Sequence, residues 1–275
     1  MYICKIGISG CLGRMGQELL KEIYLNPKTI ISGCFEHPDN DYIGQPISSI
    51  INKFVNQDIE LPNLNIESKG ETTFKNSDVV IDFTTPKSTM QNVHLAEISK
   101  TPIVIGTTGL NKENLKIIEN VSKVVPIVQS ANMSIGVNLL LQITEKASKI
   151  LSEENYDAEI SDTHHRHKID APSGTALELG NSIARGRSVS LDEKKILDRT
   201  SKKESRKLGG IGFAITRAGE IAGEHTVSFV SDNDRIDLTH KANNRSIFVK
   251  GAVEAAKWII DKPPGKYSMK HVLDL

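Results

Sequence analysis

The chain has little that would commit it to a charged polymer or to a lipid surface. Lys+Arg and Asp+Glu each number 34 in 275 residues, so the formal net charge is zero. No long basic or acidic block stands out, and general binding to nucleic acid or to a membrane surface is disfavoured, which leaves small molecules as the expected partners. Aromatic residues are scarce, at 5% with a single tryptophan, which suits an aliphatic α/β core. Cysteine is scarce too. Cys4, Cys11 and Cys34 share no CxxC spacing and form an odd set, which argues for reduced thiols and against a disulfide framework. No apolar stretch is long enough to span a bilayer and the N-terminus carries no signal-peptide pattern, so the cytoplasm is the expected location. What is present, 38% hydrophobic and 25% charged residues, describes a globular chain long enough for one large domain or two modest ones.

Strand and helix patterns alternate through the first half. YICKIGIS (Tyr2–Ser9) is an apolar run ending in a Gly-rich turn, and MGQELLKEIYL after it has helical spacing. IISGCFE reads as a second strand closing on Glu36, a short helix is expected near Ile47–Phe54, and DVVIDFT is a further buried strand. Thr85 and Pro86 sit at the N-cap and first position of the next helix. PIVIGTTG is another strand, Asn111 caps KENLKIIENVSK, and VVPIVQS leads into the long helix IGVNLLLQITEKASKIL. Continuously apolar strands separated by helices imply a parallel sheet covered on both faces.

After about residue 151 the pattern changes. YDAEISDTHH alternates, GFAITRAG and EHTVSFVSDNDRIDLTHKA look like antiparallel strands, and Asp232-Asn233-Asp234 forms a hairpin turn. The charged segment from Arg185 to Gly210 reads as a mobile loop, and RSIFVKGAVEAAKWII as the last strong helix. The expected fold class is α/β. A Rossmann-type parallel-sheet dinucleotide-binding domain spans 1–133 with 245–275, and an inserted α+β substrate domain with a mixed, largely antiparallel sheet spans 134–244. Hinges for domain closure are expected near Met133–Val137 and Ala242–Arg245, where the chain crosses between the two.

GCLGRMG places Gly10, Gly13 and Gly16 between a strand and a helix, where backbone N–H groups can meet a pyrophosphate at the positive end of the helix. Leu12 occupies the middle site of the usual GxGxxG, so the match is GxxGxxG. Glu36, twenty residues past Gly16, strengthens it. An acid there can accept both ribose hydroxyls of NAD and repel the 2′-phosphate of NADP. DFTT (Asp82–Thr85), GTTG (Gly106–Gly109) and SANMS (Ser130–Ser134) also follow strands and so belong to the carboxyl edge where ligands bind.

HHRHKIDAPSGTAL (His164–Leu177) holds three of the chain's eight histidines in four residues. As a metal site it lacks a third or fourth ligand at suitable spacing and has Lys168 beside it, so no metal is expected. As an anion and acid site it is better supplied. Thr175 and Glu178 read as a capping box that puts Gly174 and Thr175 at a helix start, and His165, Arg166 and Lys168 are cationic or can become so. A histidine can donate a proton near neutrality while a lysine holds a negative substrate. The plainer alternative is a capped helix with exposed basic neighbours.

GCLGRMG, DFTTP, GTTG, SANMSIGVN, HHRHKIDAPSGTAL and TRAGEIAGEHTVSF occur in that order and cover nearly the whole chain. Together they closely resemble the dihydrodipicolinate reductase (4-hydroxy-tetrahydrodipicolinate reductase) family of the diaminopimelate–lysine pathway. The resemblance implies NAD(P)H-dependent reduction of a cyclic, dicarboxylated imine by a homotetramer built through the second domain's sheet. It also implies residue roles. His164 corresponds to the proton donor and Lys168 to the second catalytic residue, while His165, Gly174 and Thr175 match the positions that grip a substrate carboxylate. Gly10, Cys11, Leu12, Gly13, Arg14 and Met15 match cofactor contacts, as do Glu36, Gly106, Thr107, Thr108, Ser130, Ala131, Asn132 and Met133.

Three positions depart from the family pattern. Leu12 replaces a glycine of the turn, His37 follows Glu36 where dual-specificity members carry an arginine, and Thr85 stands where some have another basic residue. NADH is therefore expected over NADPH. Rival readings are a related reductase or dehydrogenase on another amino-acid-derived imine, such as an aspartate dehydrogenase, a catalytically silent nucleotide sensor, and a metal-binding regulator.

Overall fold

A computed structural model describes residues 2–55, 64–200 and 203–275. The chain divides into two compact units, one of 1–135 with 246–275 and one of 136–245. Unit 1 opens with β1 (Cys4–Ser9), α1 (Arg14–Leu25) and β2 (Thr29–Phe35), followed by α2 (Ser48–Val55) and α3 (Glu71–Asn76). It continues through β3 (Val79–Asp82), α4 (Pro86–Ser99), β4 (Ile103–Ile105), α5 (Lys112–Val121) and β5 (Pro126–Gln129). Ile6 and Ile8 of β1 and all four residues of β3 are buried, as strands covered on both faces require.

The helices start where local chemistry starts them. Thr85 Oγ1 accepts the Ser88 N–H at 3.3 Å with Pro86 in the first helical position. Asn111 and Asn114 exchange backbone and side-chain bonds at the head of α5. In α1, Gly16, Leu19, Leu20 and Ile23 form the inward stripe, and Pro27 stops the helix just after its C-cap Asn26.

The chain passes through α6 (Ile135–Ile150) into β6 (Asp157–His164), α7 (Gly174–Gly186), α8 (Leu191–Lys194), β7 (Lys195–Ile196), β8 (Ile211–Arg217), β9 (Gly223–Val230) and β10 (Arg235–Ala242). These five strands make a mixed sheet of order β10-β9-β6-β8-β7. The β9–β10 hairpin is antiparallel, as is the β6–β9 pairing. β8, which the alternation places among antiparallel strands, instead runs parallel to both β6 and β7. A period of two reports which face is buried and carries nothing about the direction of the neighbour.

The segment 185–210 also departs from the expected mobile loop, residues 201–202 lying outside those described. It carries the end of α7, then α8 and β7. The Arg206 guanidinium fastens its far end, bonding Asp157 at 2.6 Å, Glu159 at 2.9 Å and the Ala158 and Gly210 carbonyls at 3.0 and 2.7 Å. Charged composition predicts solvent exposure only when the charges lack internal partners.

The chain then returns to unit 1 as α9 (Ser246–Ile259), β11 (Gly265–Tyr267) and α10 (Met269–Val272). β11 adds to β5 and completes a parallel sheet of order β11-β5-β4-β3-β1-β2. α9 packs on α1, β3, β4 and β5 through small residues, Ala252, Ala255 and Ala256 among them. A Cβ on Gly251 would collide with the Met133 carbonyl, so the bare backbone is what permits that approach.

Candidate functional site

In unit 1 the sheet order sets the carboxyl ends of β1, β3, β4 and β5 side by side, so the loops that follow them share one edge. The glycine turn is shaped by close approach. Gly10 has φ +70°, its N–H and that of Cys11 both donate to the Phe35 carbonyl, and a Cβ on Gly16 would strike the Gly10 carbonyl. α1 begins at Arg14, and its N-cap Gly13 offers no side-chain cap, leaving its first N–H groups for a ligand to satisfy. Glu36 lies against the turn, accepting the Leu12 N–H at 3.0 Å through Oε2 and the His37 N–H at 2.8 Å through Oε1. Each oxygen keeps a second lone pair for a hydroxyl. The bare turn, the uncapped helix and the acid fit a dinucleotide.

The other expected contact residues of unit 1 differ in access. Arg14, Thr108 and Ala131 are exposed, Leu12, Met15, Ser130 and Asn132 are partly buried, and Cys11, Gly106, Thr107 and Met133 are buried. A hydrogen bond to Cys34, together with burial, pushes the Cys11 thiol far up, so it stays protonated. Sequence reading gave Asp82 no role of its own. Its fully buried carboxyl accepts from Thr84 Oγ1 at 2.6 Å and from Thr107 Oγ1 at 3.4 Å, while the Thr84 N–H donates to Thr107 Oγ1 at 2.9 Å. One acid thus ties the loops after β3 and β4 together. Burial raises its titration, opposed by the hydrogen bonds from Thr84 and Thr107.

In unit 2 the site is built on β6. Ala158, Ile160, Asp162 and His164 occupy its buried face in alternation, so a carboxylate and an imidazole end a row that starts aliphatic. His225 on β9 lies directly across from Asp162, and Arg217 on β8 is in register with His164. Asp162 is fully buried and is the centre of this cluster. Its Oδ1 lies 2.9 Å from His164 Nδ1 and 3.4 Å from His225 Nε2. Its Oδ2 accepts the Ser173 N–H at 2.7 Å and Arg217 Nη2 at 3.0 Å. Burial by itself pushes the Asp162 carboxyl up, but the facing His164 and His225 rings, with the hydrogen bonds from Ser173 N–H and Arg217, outweigh it and hold the group well below the usual carboxylate range. It is a buried anion with its counter-charge built in.

Asp162, His164 and His225 also offer one ligand atom each within 4.8 Å of one another. The guanidinium on the same carboxylate opposes a further cation there, and the arrangement fits proton chemistry better than metal binding. The remaining residues of the histidine run are more open. His165 and Lys168 are half-buried and Arg166 is exposed. His167 is exposed and faces Glu220 at 3.4 Å. Lys168 Nζ pairs with Asp170 at 2.8 Å, a partner the sequence reading had not assigned. Burial raises Asp170, and the bond from Lys168 more than offsets it, so Asp170 titrates below its ordinary value.

Gly174 and Thr175 do open α7, but the cap differs from the expected Thr175–Glu178 box. Ser173 is the N-cap, its Oγ accepting the Ala176 N–H at 3.1 Å. Glu178 turns instead to Asn181 at 3.2 Å and Arg185 at 3.0 Å. In a Pro-Ser-Gly-Thr run both hydroxyls are competent caps, and the bond from Ser173 N–H to Asp162 decides between them. A Cβ built on Gly174 would meet nothing within 4 Å, so the helix start is open there. Gly223 shows the opposite. Its Cβ position lies 2.9 Å from His164 Nε2, so glycine keeps that nitrogen uncovered. Sequence reading missed Asp162, Ser173, Arg217, Gly223 and His225. The available signal was an acid two residues before His164, on what reads as the apolar face of a strand.

A bare glycine turn with an acid at the end of the second strand, on a doubly wound parallel sheet, marks the fold of a dinucleotide-dependent oxidoreductase. The comparisons specify which. Residues 4–133 match the model for the dihydrodipicolinate reductase N-terminus and 136–273 that for its C-terminus. A 4-hydroxy-tetrahydrodipicolinate reductase of Wolbachia sp. subsp. Drosophila simulans is 42% identical over 98% of this chain and 99% of its own. That of Chromohalobacter salexigens is 39% identical over 98% of each. The dipicolinate-bound dihydrodipicolinate reductase from Paenisporosarcina shares the fold, with a TM-score of 0.74 and 22% identity over 97% of each chain. The chain belongs to the dihydrodipicolinate reductase family, pyridine-nucleotide-dependent oxidoreductases of diaminopimelate and lysine biosynthesis. Among the described residues no helix is long and apolar enough to cross a membrane.

Proposed function

We propose that this chain reduces 4-hydroxy-tetrahydrodipicolinate, by way of dihydrodipicolinate, to tetrahydrodipicolinate, with NADH preferred over NADPH, as a cytoplasmic homotetramer. A bound pyridine nucleotide supplies the hydride. In unit 1 the glycine turn from Gly10 to Met15 holds the pyrophosphate, Glu36 takes the ribose hydroxyls, and the loops at Gly106–Thr108 and Ser130–Met133 line the nicotinamide half. In unit 2 His165, Lys168 and the N-terminus of α7 at Gly174 and Thr175 hold the substrate carboxylates. Two carboxylates make the ring a poor hydride acceptor, and positive groups on them offset the charge that develops as it is reduced. His164 gives its Nε2 proton to the carbon next to the one that receives hydride, and Lys168 assists while anchoring the substrate.

The observation that carries the acid assignment is the pairing of His164 Nδ1 with the Asp162 anion at 2.9 Å, which leaves Nε2 for the substrate. The tetramer assignment is supported by unit 2's sheet. Ala214, Ile215 and Thr216 of β8 and most of β10 are exposed, though they lie in regular strands. The test is loss of nicotinamide absorbance with substrate generated from pyruvate and aspartate semialdehyde. In His164→Gln, kcat is expected to fall roughly 10²- to 10⁴-fold, the usual contribution of a general acid, with NADH affinity unchanged. Turnover that survives the substitution would remove His164 from the role.

A further inference from the structure

The cluster behind His164 goes beyond a packing device, and the inference drawn from it rests on the reading of His164 as the acid. We propose that Asp162 is the positioning residue of the reaction: one oxygen fixes the tautomer and orientation of the proton donor, and the other fixes the start of the helix that grips the substrate.

The two oxygens have different partners. Oδ1 faces His164 Nδ1 at 2.9 Å, and because two lone pairs repel at that distance a carboxylate there favours a proton on Nδ1. The neutral ring left after proton donation is therefore the Nδ1–H tautomer, and Nε2 is the site that is emptied and refilled. Oδ2 holds the Ser173 N–H at 2.7 Å, and Ser173 in turn caps α7 through Oγ. The proton donor and the anion clamp are thereby indexed to one rigid group, which β6 places on a buried strand face.

The charged and titratable groups around His164 support the same assignment. On β6 itself there is Asp162. On β8, Arg217 bonds Asp162 Oδ2 at 3.0 Å and the carbonyls of Asp162 and Asp170 at 3.1 and 2.7 Å, so its charge is directed at the oxygen away from His164. On β9, His225 packs edge-on against His164 with ring centroids 5.1 Å apart, and its Nε2 is shared between Asp162 Oδ1 at 3.4 Å and Ser173 Oγ at 3.1 Å. Glu224, next to it, faces Lys241 on β10 at 3.4 Å. In the loop after β6, Lys168 is neutralised by Asp170 at 2.8 Å. Asp162 Oδ1 is thus the anionic atom placed within hydrogen-bond reach of the ring.

Asp162→Asn separates positioning from mere structure. Two donors, Ser173 N–H and Arg217, already face Oδ2, so the amide oxygen must take that place and its NH₂ must turn to His164. An NH₂ can meet only a bare Nδ1. The substitution therefore keeps the helix anchor, removes the charge and selects the wrong tautomer. Expected are a kcat lower by roughly 10- to 100-fold near neutral pH, within what general acid catalysis contributes, and unchanged NADH affinity. Substrate KM should stay within about twofold, because the Ser173 N–H keeps its acceptor and α7 its cap, so the loss falls on kcat and not on binding. Asp162→Glu should restore part of the rate.

A variant that folds and binds NADH normally but keeps kcat within twofold, or loses rate only through a raised substrate KM, would overturn the proposal. If Asp162→Asn does not fold, ¹⁵N spectra of the wild-type histidines decide. A neutral His164 ring protonated on Nδ1 is expected, and one protonated on Nε2 refutes the assignment. Failure of the acid reading itself is told apart by His164→Gln, which would then keep its turnover whatever Asp162 does.

Discussion

Gly223→Ala adds one methyl group and tests the geometry at the proposed acid from the side opposite Asp162. The new Cβ would sit 2.9 Å from His164 Nε2 and 3.2 Å from Cδ2. Ordinary contact needs roughly half an ångström more, since carbon packs at about 3.5–4.0 Å. The ring cannot move back freely, because Nδ1 is already 2.9 Å from Asp162 on its other side. The backbone at 223, with φ +156°, is also one that side chains rarely adopt, and holding alanine there costs about 1–3 kcal/mol of stability. If the ring turns and its pairing with the anion is lost, the loss is about 1.5–3 kcal/mol, the scale of a contact to a charged group. At 1.36 kcal/mol per decade this is about a 10- to 150-fold lower kcat.

The assay is nicotinamide absorbance for turnover alongside a fluorescence titration for NADH. NADH affinity should not change, because the proposed nucleotide contacts all belong to unit 1. A Gly223→Ala enzyme that loses thermal stability yet keeps kcat within twofold would show that Nε2 is not where the proton leaves, and the reasoning would be refuted.

Two further outcomes are expected. Gly174→Ala meets no steric obstacle and should leave the melting temperature unchanged or slightly raised, since glycine in a helix costs roughly 0.5–1 kcal/mol relative to alanine; its substrate KM should rise several-fold with kcat little changed, and an unchanged KM would place the carboxylate elsewhere. The wild-type enzyme should show a lower KM for NADH than for NADPH, and Glu36→Ala should narrow the difference by removing the charge that repels a 2′-phosphate; a clearly lower KM for NADPH in the wild type would contradict the role given to Glu36.

The parallel sheet was legible because its strands are buried on both faces, and runs such as VVID need no partner to be recognised. The heads of α4 and α5 were legible because Thr85–Pro86 and Asn111 act within one turn. The direction of β8 was not, because the same alternation fits either neighbour. Segment 185–210 misled because Arg206 finds its carboxylates nearly fifty residues upstream. At the site, the histidine run announced itself by local density. The groups that organise it did not, since Arg217 and His225 reach Asp162 only through the register of three strands. The cap on α7 was misassigned for a similar reason. Ser173 prevails over Thr175 because its N–H is held by an acid eleven residues earlier, which no window of neighbouring residues contains.

The late return of the chain to unit 1 has a consequence for how the protein is made. On a ribosome, 136–245 emerge as one uninterrupted stretch and bring all five strands of their own sheet with them. The first 135 residues, although synthesised earlier, must wait for α9 to cover α1 and β3–β5 and for β11 to close the open edge of β5. Birth order and folding order are thus reversed for the larger part of the molecule. A stop codon near residue 245 would leave a nascent nucleotide unit with an uncovered apolar sheet and an unpaired strand edge, the features that recruit chaperones or lead to aggregation. Loss of the last thirty residues should therefore damage the beginning of the protein more than its middle.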